Sequence, residues 1–400
     1  MPRPFLAVVL VLSLAPAARA QEVTEAGFLS TLDEGHIAVR SLTEGLARAE
    51  GDSVRARTLE NPRLDFWREE PEANPQVTNW TLAWTPPLDG RYGLGKKVAE
   101  AGLAAAQHRF AADRAAVRRD FRRVFSDWCF AFESRQVLRQ QLDLVVGLAE
   151  HERQRARVGE VSSLAAGRFT LAEGEVRAEF GNADAEYSLA EAAARTLRPD
   201  LPMEIRPLPS ALPEPPATLD PGGAPQLSAL EQEKERAEYE ARRAGRFVAF
   251  PTLQLGWQTL EDRGVSQSGP IVAASWAVPL FNRDQGDRLE AERQRDIVTA
   301  RLSLAQARLA GEVQGGLNAY RALFASAEAA RVTAGETDQV IEAATAAFRA
   351  GEDDLTDLLE ALRSAFAARL RAIDARAQAL EAHRNLEAAL GRPLTGGGDR

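Results

Sequence analysis

The strongest constraint on what this 400-residue chain can fold into is an internal duplication. The segment RVGEV at 157–161 matches RAGED at 349–353, an offset of 192 residues (349 − 157 = 192). The same offset aligns WTPPL at 84–88 with WAVPL at 276–280. Several matches in one register indicate two copies of one structural unit rather than two unrelated domains.

Both copies have the same predicted order of elements: a short helix, a β-hairpin, and a long helical hairpin broken at a glycine. The first repeat is predicted at 21–200, with the short helix at 25–57, the β-hairpin at 59–88 and the helical hairpin at 95–197. The second repeat is predicted at 225–394, with the short helix at 225–246, the β-hairpin at 250–281 and the helical hairpin at 287–391. Prolines in the connector at 201–224 exclude a continuous helix there. Residues 395–400 are predicted to be a disordered, Gly-rich tail.

The first helix of each helical hairpin is predicted to be unusually long. These helices cover about 95–156 and 287–349, on the order of 90 Å each at a rise of 1.5 Å per residue. Their apolar residues are spaced three and four apart, as a packing seam requires; they lie at 117, 121, 124, 128 and 132, and at 309, 313, 317, 320 and 324. Such helices need neighbours along their length, as in coiled coils. The predicted fold class is therefore mainly α, with long coiled-coil helices and four β-strands in each protomer.

The four predicted strands have the pattern of membrane-crossing strands. They are NPRLDFWRE at 61–69, QVTNWTLAWT at 76–85, FPTLQLGWQT at 250–259 and PIVAASWAVPL at 270–280. Each has about the 9–11 residues that a tilted crossing requires, with apolar side chains alternating with small or polar ones. Five of the six tryptophans lie in these segments, namely Trp67, Trp80, Trp84, Trp257 and Trp276. Because tryptophan favours the membrane–water interface, we predict that these residues contact membrane lipid. The alternative is two ordinary hairpins with tryptophan in a soluble core.

Strands that cross a bilayer cannot leave their edges unpaired, so a spanning sheet must be closed. Four strands are too few to enclose a lumen, and several copies of the chain would each have to contribute four. Three copies would give twelve strands, enough for an open lumen. The residues themselves do not fix the number at three.

The N-terminus has the pattern of a secretory signal peptide at 1–20. Arg3 gives a basic start, an apolar stretch follows from Phe5 to Leu14, and Ala18-Arg19-Ala20 forms a cleavage site before Gln21. Gln21 is not a cysteine, so this start gives no sign of lipidation. No other stretch approaches the ~20 apolar residues of a transmembrane helix, so a membrane crossing would have to use strands.

Composition excludes several functional classes. The net charge of −9 argues against a nucleic-acid partner. One cysteine, Cys129, allows no intrachain disulfide and no thiolate-rich metal site. The four histidines are far apart and have no ligand-like spacing, and no nucleophile–base arrangement is present. We therefore predict no resident metal, no cofactor and no enzymatic activity.

The order of elements, repeated twice, resembles the TolC-like outer-membrane efflux proteins over nearly the whole mature chain. PLFNRDQGDRLEAE at 279–292 and ENPRL at 60–64 are similar to the cation-efflux branch of that family, the CzcC-like outer-membrane factors. The resemblance implies a homotrimer with a 12-stranded transmembrane β-barrel in the outer membrane and an α-barrel in the periplasm. It also implies a periplasmic adaptor (membrane fusion) protein and an inner-membrane transporter, of the resistance-nodulation-division type, as partners. The implied function is a passive duct that exports heavy-metal cations.

The resemblance also implies two kinds of functional residue. The tips of the helical hairpins are where such proteins dock the adaptor; here the tips are Arg157, Val158, Gly159 and Glu160, and Arg349, Ala350, Gly351 and Glu352. The periplasmic entrance of the family is commonly narrowed by acidic residues beyond the second tip, which correspond here to Asp353, Asp354, Asp357 and Glu360. Copied threefold, these carboxylates would attract cations. The first repeat has Ala165 and Arg168 at the positions of Asp357 and Glu360, so one repeat alone would supply the ring. The alternative is an acidic helix start favoured by the helix dipole.

Other functions stay open at this stage. Within the duct class, the cargo could instead be drugs, in a general drug-efflux channel, or a polypeptide, in type I protein secretion. From another class, a periplasmic adaptor or structural coiled-coil protein would have the long helices, but it would not need four tryptophan-bearing strands. The substrate, the pump served, the resting state of the channel and lipidation by another route do not follow from the sequence.

Overall fold

The computed structural model describes residues 21–32, 35–70, 75–202, 204–246, 250–278 and 280–394. The predicted signal peptide and the predicted C-terminal tail lie outside these residues. In chain order the elements of the first repeat are β1 (Gln21–Val23), α1 (Glu25–Leu29), α2 (Ile37–Arg40), α3 (Thr43–Arg57), β2 (Arg63–Glu69), β3 (Gln76–Trp84), α4 (Arg91–Arg157) and α5 (Ser163–Leu197). They are followed by β4 (Ile205–Pro207), α6 (Pro225–Ala244), β5 (Thr252–Asp262), β6 (Val265–Ser275), α7 (Gln285–Gly335), α8 (Thr337–Ala350) and α9 (Leu355–Leu390).

The described chain forms two compact units, and each unit draws on both repeats. The first, which we name the tip unit, comprises residues within 21–31, 121–211 and 330–377. The second, the sheet unit, comprises residues within 32–120, 212–329 and 378–394. The duplication in the sequence is thus not a division into two globules, because corresponding parts of the two repeats pack together.

The long helices follow the predicted apolar spacing. Helix α4 has 67 residues and α7 has 51. Every predicted seam position of α7 except Phe324 is buried in the structure, as for Leu309, Val313 and Tyr320. No helix among the described residues has a stretch that is long and apolar enough to cross a membrane.

Two predicted helices are interrupted in the structure. The helix predicted over 25–57 consists of α1, α2 and α3, and the helix predicted over 287–349 is divided at Glu336 into α7 and α8. At the second break the Thr337 hydroxyl donates to the Ala334 carbonyl at 2.7 Å, and Arg369 Nε donates to the same hydroxyl at 2.7 Å. A threonine that binds the preceding turn bends a helix, and the adjacent Gly335 lowers helix propensity by about 1 kcal/mol relative to alanine.

The core of the tip unit is formed by buried apolar residues of α4, α5 and α9, and partly buried residues of α8 pack against them. Its buried members are Val145, Leu148, Ala149, Phe169, Val176, Leu358, Leu362 and Phe366. A second packed region places Phe28 against Phe125, with ring centroids 5.3 Å apart, and Arg198 donates to the carbonyls of Gly27 and Phe28 at 2.8 Å. Burial of each large side chain contributes about 1.5–3 kcal/mol. The short parallel pair of β1 and β4 also belongs to this unit and was not predicted.

The Pro-rich connector in the sheet unit is held by side chains of α7 and by Arg392, which follows α9. Tyr320 donates its hydroxyl to the Pro213 carbonyl, Arg321 donates to the Pro216 carbonyl at 3.0 Å, and Arg392 donates to the Asp220 carbonyl at 2.9 Å. Proline has no N–H but keeps a carbonyl acceptor, so this segment is fastened through its acceptors. Burial, together with the charge of Glu387, raises the pKa of Tyr320 to about 12, which keeps the hydroxyl a donor at all physiological pH values.

The two β-hairpins form one antiparallel sheet in the order β2-β3-β5-β6. Strands β3 and β5 join the repeats, with Trp80 opposite Trp257 and Leu82 opposite Leu255. The β5–β6 hairpin turns through Arg263 and Gly264, both with positive φ (50° and 84°), as a two-residue type I′ turn requires. Within the described residues, β2 and β6 are the edge strands of the sheet.

Gly256 is the position in the sheet where a side chain is least tolerated. A Cβ built there would collide with the Trp80 carbonyl oxygen and the Thr81 side chain, and would lie 3.0 Å from Thr81 Cα. We predict that Gly256→Ala forces β3 and β5 apart and destabilises the protein by about 1–3 kcal/mol, the range for overpacking. The measurement is the thermal unfolding midpoint of the purified protein in detergent.

Gly269→Ala in the neighbouring strand β6 is the matched control, since a Cβ there has nothing within 4 Å. This variant should keep the wild-type midpoint. Equal midpoints for the two variants would show that the close approach at Gly256 does not limit the sheet.

Candidate functional site

The second predicted tip is the turn between α8 and α9. Helix α8 ends at Ala350, and Gly351 follows with φ +77° in the left-handed region. The Glu352 N–H donates to the Ala347 carbonyl at 3.0 Å, and the Gly351 N–H donates to the Phe348 carbonyl at 3.1 Å. These bonds satisfy the last carbonyls of the helix as in a Schellman cap, for which glycine is the favoured residue.

The first predicted tip has the same backbone arrangement. Gly159 has φ +83°, and the Glu160 N–H donates to the Arg155 carbonyl at 3.0 Å, again spanning five residues. Hydrogen bonds from Arg155 to Glu152 and Glu160, at 3.0 and 3.3 Å, raise the pKa of the arginine. Both sequence-predicted tips are therefore closed turns built in one way.

The structure brings the two tips together in the tip unit. A cavity of about 790 Å³ is lined by residues beside both turns, among them Glu152, Glu160, Phe348 and Arg349. Arg157, Val158 and Arg349 are exposed, and Val158 keeps 72 % of its accessible surface. Two basic side chains and one apolar side chain are thus presented on adjacent turns, an arrangement suited to contact with another protein.

Asp354 in the predicted acidic segment caps helix α9. Its Oδ1 accepts from the Thr356 N–H at 2.6 Å and from the Asp357 N–H at 3.0 Å. The hydrogen bond from the Asp357 N–H, followed by that from Thr356, lowers the pKa of the Asp354 carboxyl. The corresponding residue of the first repeat is Ser162, another favoured N-cap residue.

The other three acidic residues have exposed side chains. Asp353, Asp357 and Glu360 are exposed, whereas Leu358 and Leu362 of the same helix are buried in the core of the tip unit. Asp357 and Glu360 are three residues apart and so lie near each other on a helix surface. The apolar face of α9 fixes the helix, and this packing turns the carboxylates outward.

Arg168 of the first repeat also reaches the acidic segment. Its Nη1 lies 3.5 Å from the Thr356 hydroxyl, and its charge lowers the pKa of the Asp354 carboxyl, though less than the backbone hydrogen bonds do. The sequence alignment of the repeats identified Arg168 as a departure from the acidic pattern. It did not reveal that the arginine lies beside the acids.

The exposed tryptophans divide between the two faces of the sheet. Trp80, Trp84 and Trp257 lie on one face, because Trp80 is paired with Trp257 and residues two apart on a strand point to the same face. That face is completed by other exposed apolar residues, namely Leu64, Phe66, Leu82, Leu253, Leu255 and Val272. Trp67 is opposite Asn79 and so lies on the other face, with Gln254 and Gln258. Trp276 follows β6 directly and is exposed.

No group of three or more His, Cys, Asp or Glu side chains within the described ranges has the geometry of a metal site. Asp353, Asp357 and Glu360 form an exposed negatively charged surface. Cys129 is buried in the helix seam, next to the fully buried Trp128.

The Asp354 cap gives a testable prediction. Asp354→Ala should expose the Thr356 and Asp357 N–H groups and speed their hydrogen exchange, whereas Asp354→Ser should keep most of the protection because serine is also an N-cap. Because the folded-state pKa is lowered, this stabilisation is complete above the usual aspartate pKa of about 3.9 and is lost as pH falls through the lowered value.

Hydrogen-exchange mass spectrometry of a peptide covering residues 351–362 measures both effects. The Asp354→Ser variant should lose the acid-dependent part of the protection, since a hydroxyl does not titrate in this range. Unchanged exchange in Asp354→Ala would contradict the cap.

Comparison with known proteins supports one family. Residues 222–392 match the family model of the outer membrane efflux protein. The chain is 24% identical over 398 residues to the cobalt-zinc-cadmium resistance protein CzcC of Cupriavidus metallidurans, which covers 94% of this chain and 92% of the relative.

Solved structures show the same fold at low sequence identity. CusC superposes with a TM-score of 0.78 at 16% identity, covering 92% of each chain. The Campylobacter jejuni CmeC outer membrane channel superposes with a TM-score of 0.75 at 13% identity, covering 100% of this chain and 96% of the other.

The family model, the full-length relative and the shared fold agree with the duplicated helical hairpins and the four antiparallel strands described above. The second repeat therefore matches the outer membrane efflux protein family in sequence, and the whole chain has the fold of solved outer-membrane channels such as CmeC.

Proposed function

We propose that this chain is an outer-membrane channel, a passive duct of three protomers that exports heavy-metal cations delivered by an inner-membrane transporter. The observation that carries the proposal is the set of exposed carboxylates at Asp353, Asp357 and Glu360, which follow the second helix tip. A passive duct gives no energy to transport, so its own contribution to selectivity is electrostatic.

The sheet supports assembly from several copies. In the described residues β2 pairs only with β3, and β6 pairs only with β5, so each protomer has two free sheet edges. Its apolar face is exposed at the same time. In a bilayer, unpaired strand edges are too costly to persist, and pairing β6 of one protomer with β2 of the next would satisfy them. Twelve strands from three protomers would close such a sheet around an open lumen.

The acidic segment favours cations over anions as cargo. The Asp354 carboxylate accepts hydrogen bonds from the first turn of α9 and is close enough to Arg168 to feel its positive charge. Asp353, Asp357 and Glu360 are therefore the groups that act on a passing ion. Threefold repetition of these carboxylates would give a ring of negative charge, and such rings in pores attract cations and repel anions. The arginine weakens this potential, so the ring is less acidic than the residue count suggests.

The cation assignment is also supported by the relative CzcC, whose name records resistance to cobalt, zinc and cadmium. The fold alone does not specify the cargo, so drug export and protein secretion are the alternatives. The acidic residues and the PLFNRDQG segment favour metal cations over these alternatives.

The helix tips are proposed as the docking surface for a periplasmic adaptor protein. Arg157 and Arg349 are exposed beside the exposed Val158, on turns held rigid by backbone hydrogen bonds. A rigid surface loses little conformational entropy on binding. The adaptor would connect the duct to a transporter of the resistance-nodulation-division type in the inner membrane.

A deletion strain tests the function. We predict that loss of this chain raises cellular cobalt, zinc or cadmium and lowers growth in those metals, while tolerance of dyes and detergents stays normal. Metal content measured by mass spectrometry, with the wild-type chain restored as control, gives the result. Sensitivity to dyes and detergents alone would assign the duct to drug export.

The acidic segment is tested by conductance. We predict that Asp357→Asn with Glu360→Gln lowers the cation-over-anion permeability ratio in planar bilayers, because two of the three exposed carboxylates of each protomer lose their negative charge. Arg168→Gln should change the ratio in the opposite direction, since it removes a positive charge beside the same segment.

The matched control is Glu186→Gln with Glu342→Gln, which removes the same charge from two exposed positions on other helices. This control should leave the ratio unchanged. A ratio that is the same in the Asp357/Glu360 variant and the wild type would place selectivity elsewhere in the channel.

A further inference from the structure

The sheet unit has a basic cavity that the proposed transport function does not use. It measures about 1170 Å³ and is lined by the start of α4, the end of α6 and the first turns of α7. Five of its lining residues are cationic, namely Lys97, Arg242, Arg246, Arg288 and Arg295. Three are acidic, namely Glu238, Glu292 and Asp296, so the lining carries an excess of positive charge although the whole chain has a net charge of −9.

The cavity is close to the end of the sheet from which the helices continue. Arg246 precedes β5, which begins at Thr252, and six residues span at most about 21 Å. Arg91 Nε donates to the Arg246 carbonyl at 2.6 Å, and Arg91 also pairs with Asp284 at 2.6 Å. These bonds join the segments that follow β3 and β6 to the segment that precedes β5. The cavity is therefore held next to the membrane-facing part of the protein.

Two of the five cations are neutralised within the cavity. Arg288 pairs with Glu292 at 3.0 Å, and Arg295 pairs with Asp296 at 2.8 Å. The other three differ: Lys97, Arg242 and Arg246 have no carboxylate partner within 4.0 Å among the described residues. Both Arg242 and Arg246 are exposed. Their donors are available to an anionic ligand.

Tyr239 organises the unpaired cations. Lys97 lies over its ring at 5.4 Å from the centroid, and Arg242 lies over it at 5.7 Å. The Tyr239 hydroxyl is 3.0 Å from Glu235, which fixes the ring. Cation–π contacts hold a cation in place without neutralising it, so the charge remains directed at the cavity.

Exposed apolar side chains lie in the adjoining connections between strands and helices and in the first turns of α7. Phe281 keeps 90% of its accessible surface, and Leu88, Leu280 and Leu289 are also exposed. Leu289 directly follows the cavity residue Arg288, and the Arg246 guanidinium lies against Gly90, close to Leu88. A cationic cavity beside an apolar collar has the two chemistries of a phospholipid, a phosphate and acyl chains.

We propose that this cavity binds the phosphate of an anionic phospholipid from the membrane leaflet at the helix end of the sheet. Arg242 and Arg246 donate to the phosphate oxygens, for which the guanidinium fork is well suited, and Lys97 adds a point charge. The apolar collar contacts the acyl chains. Basic pockets beside membrane-spanning segments bind lipid headgroups elsewhere by the same chemistry.

The bound lipid would fix the angle between the sheet and the helices that continue from it. Arg91, Arg246 and Asp284 already join the three connections, and a phosphate between α6 and α4 would add a further link at the same level. The inference rests on the outer-membrane location and not on the cargo, so it stands whether the duct exports metals or drugs.

The test is lipid binding by the full mature protein in detergent. Arg242→Gln with Arg246→Gln is compared with Arg301→Gln with Arg308→Gln, two exposed arginines of α7 outside the cavity. Labelled phosphatidylglycerol, phosphatidylcholine and inorganic phosphate are titrated in turn. We expect the cavity variant to bind phosphatidylglycerol on the order of tenfold more weakly, with the control variant unchanged and phosphatidylcholine weaker than phosphatidylglycerol in the wild type.

Three results would overturn the proposal. Equal phosphatidylglycerol affinity in the cavity variant and the control would exclude the cavity as the lipid site. Displacement of the lipid by millimolar inorganic phosphate would indicate a simple anion site. Unchanged lipid binding with loss of the oligomer in the cavity variant would indicate that a second copy of the chain covers the cavity. If the double variant does not fold, Lys97→Gln is measured in the same assay against the same control.

Discussion

Antiparallel pairing of β3 with β5 provides the hydrogen bonds that join the two repeats in one sheet. Each repeat alone has a two-stranded hairpin, which is marginally stable in water. Joining them produces four strands with one apolar face, and it also leaves β2 and β6 as edges. The approach is close enough that only glycine fits at position 256. The exposed face and the free edges that suit a membrane oligomer are thus consequences of this one pairing.

The parts of the fold that depend on periodicity could be predicted from the sequence. Alternation gave the four strands, spacing of three and four gave the long helices, and glycine gave the turns at Gly159 and Gly351. The break at Glu336 was not predictable in this way, because it depends on an arginine from α9 that binds Thr337. The β1–β4 pair was missed because three residues are too few for a pattern. The sequence also could not assign Trp67 to the opposite face, since this depends on the register with β3.

The acidic segment illustrates how the repeats have diverged within a common frame. The backbone of the two tips is equivalent, and both following helices begin after a residue that can cap them, Asp354 or Ser162. The charge is not equivalent, because Arg168 occupies the position that aligns with Glu360. Its side chain reaches the acidic residues of the other repeat and moderates their potential. Duplication thus preserved the geometry of the tips, while substitution at single positions adjusted the electrostatics.

The connector between the repeats is recognised through its backbone. Its carbonyls at Pro213, Pro216 and Asp220 accept hydrogen bonds, and the donors are side chains of Tyr320, Arg321 and Arg392. A carbonyl is present whatever the side chain, so these three hydrogen bonds depend on the path of the connector and not on the identity of the residues at 213, 216 and 220. The residue-specific groups are the donors, Tyr320, Arg321 and Arg392. The connector's own side chains act separately, since Leu201 and Ala224 are buried at its two ends.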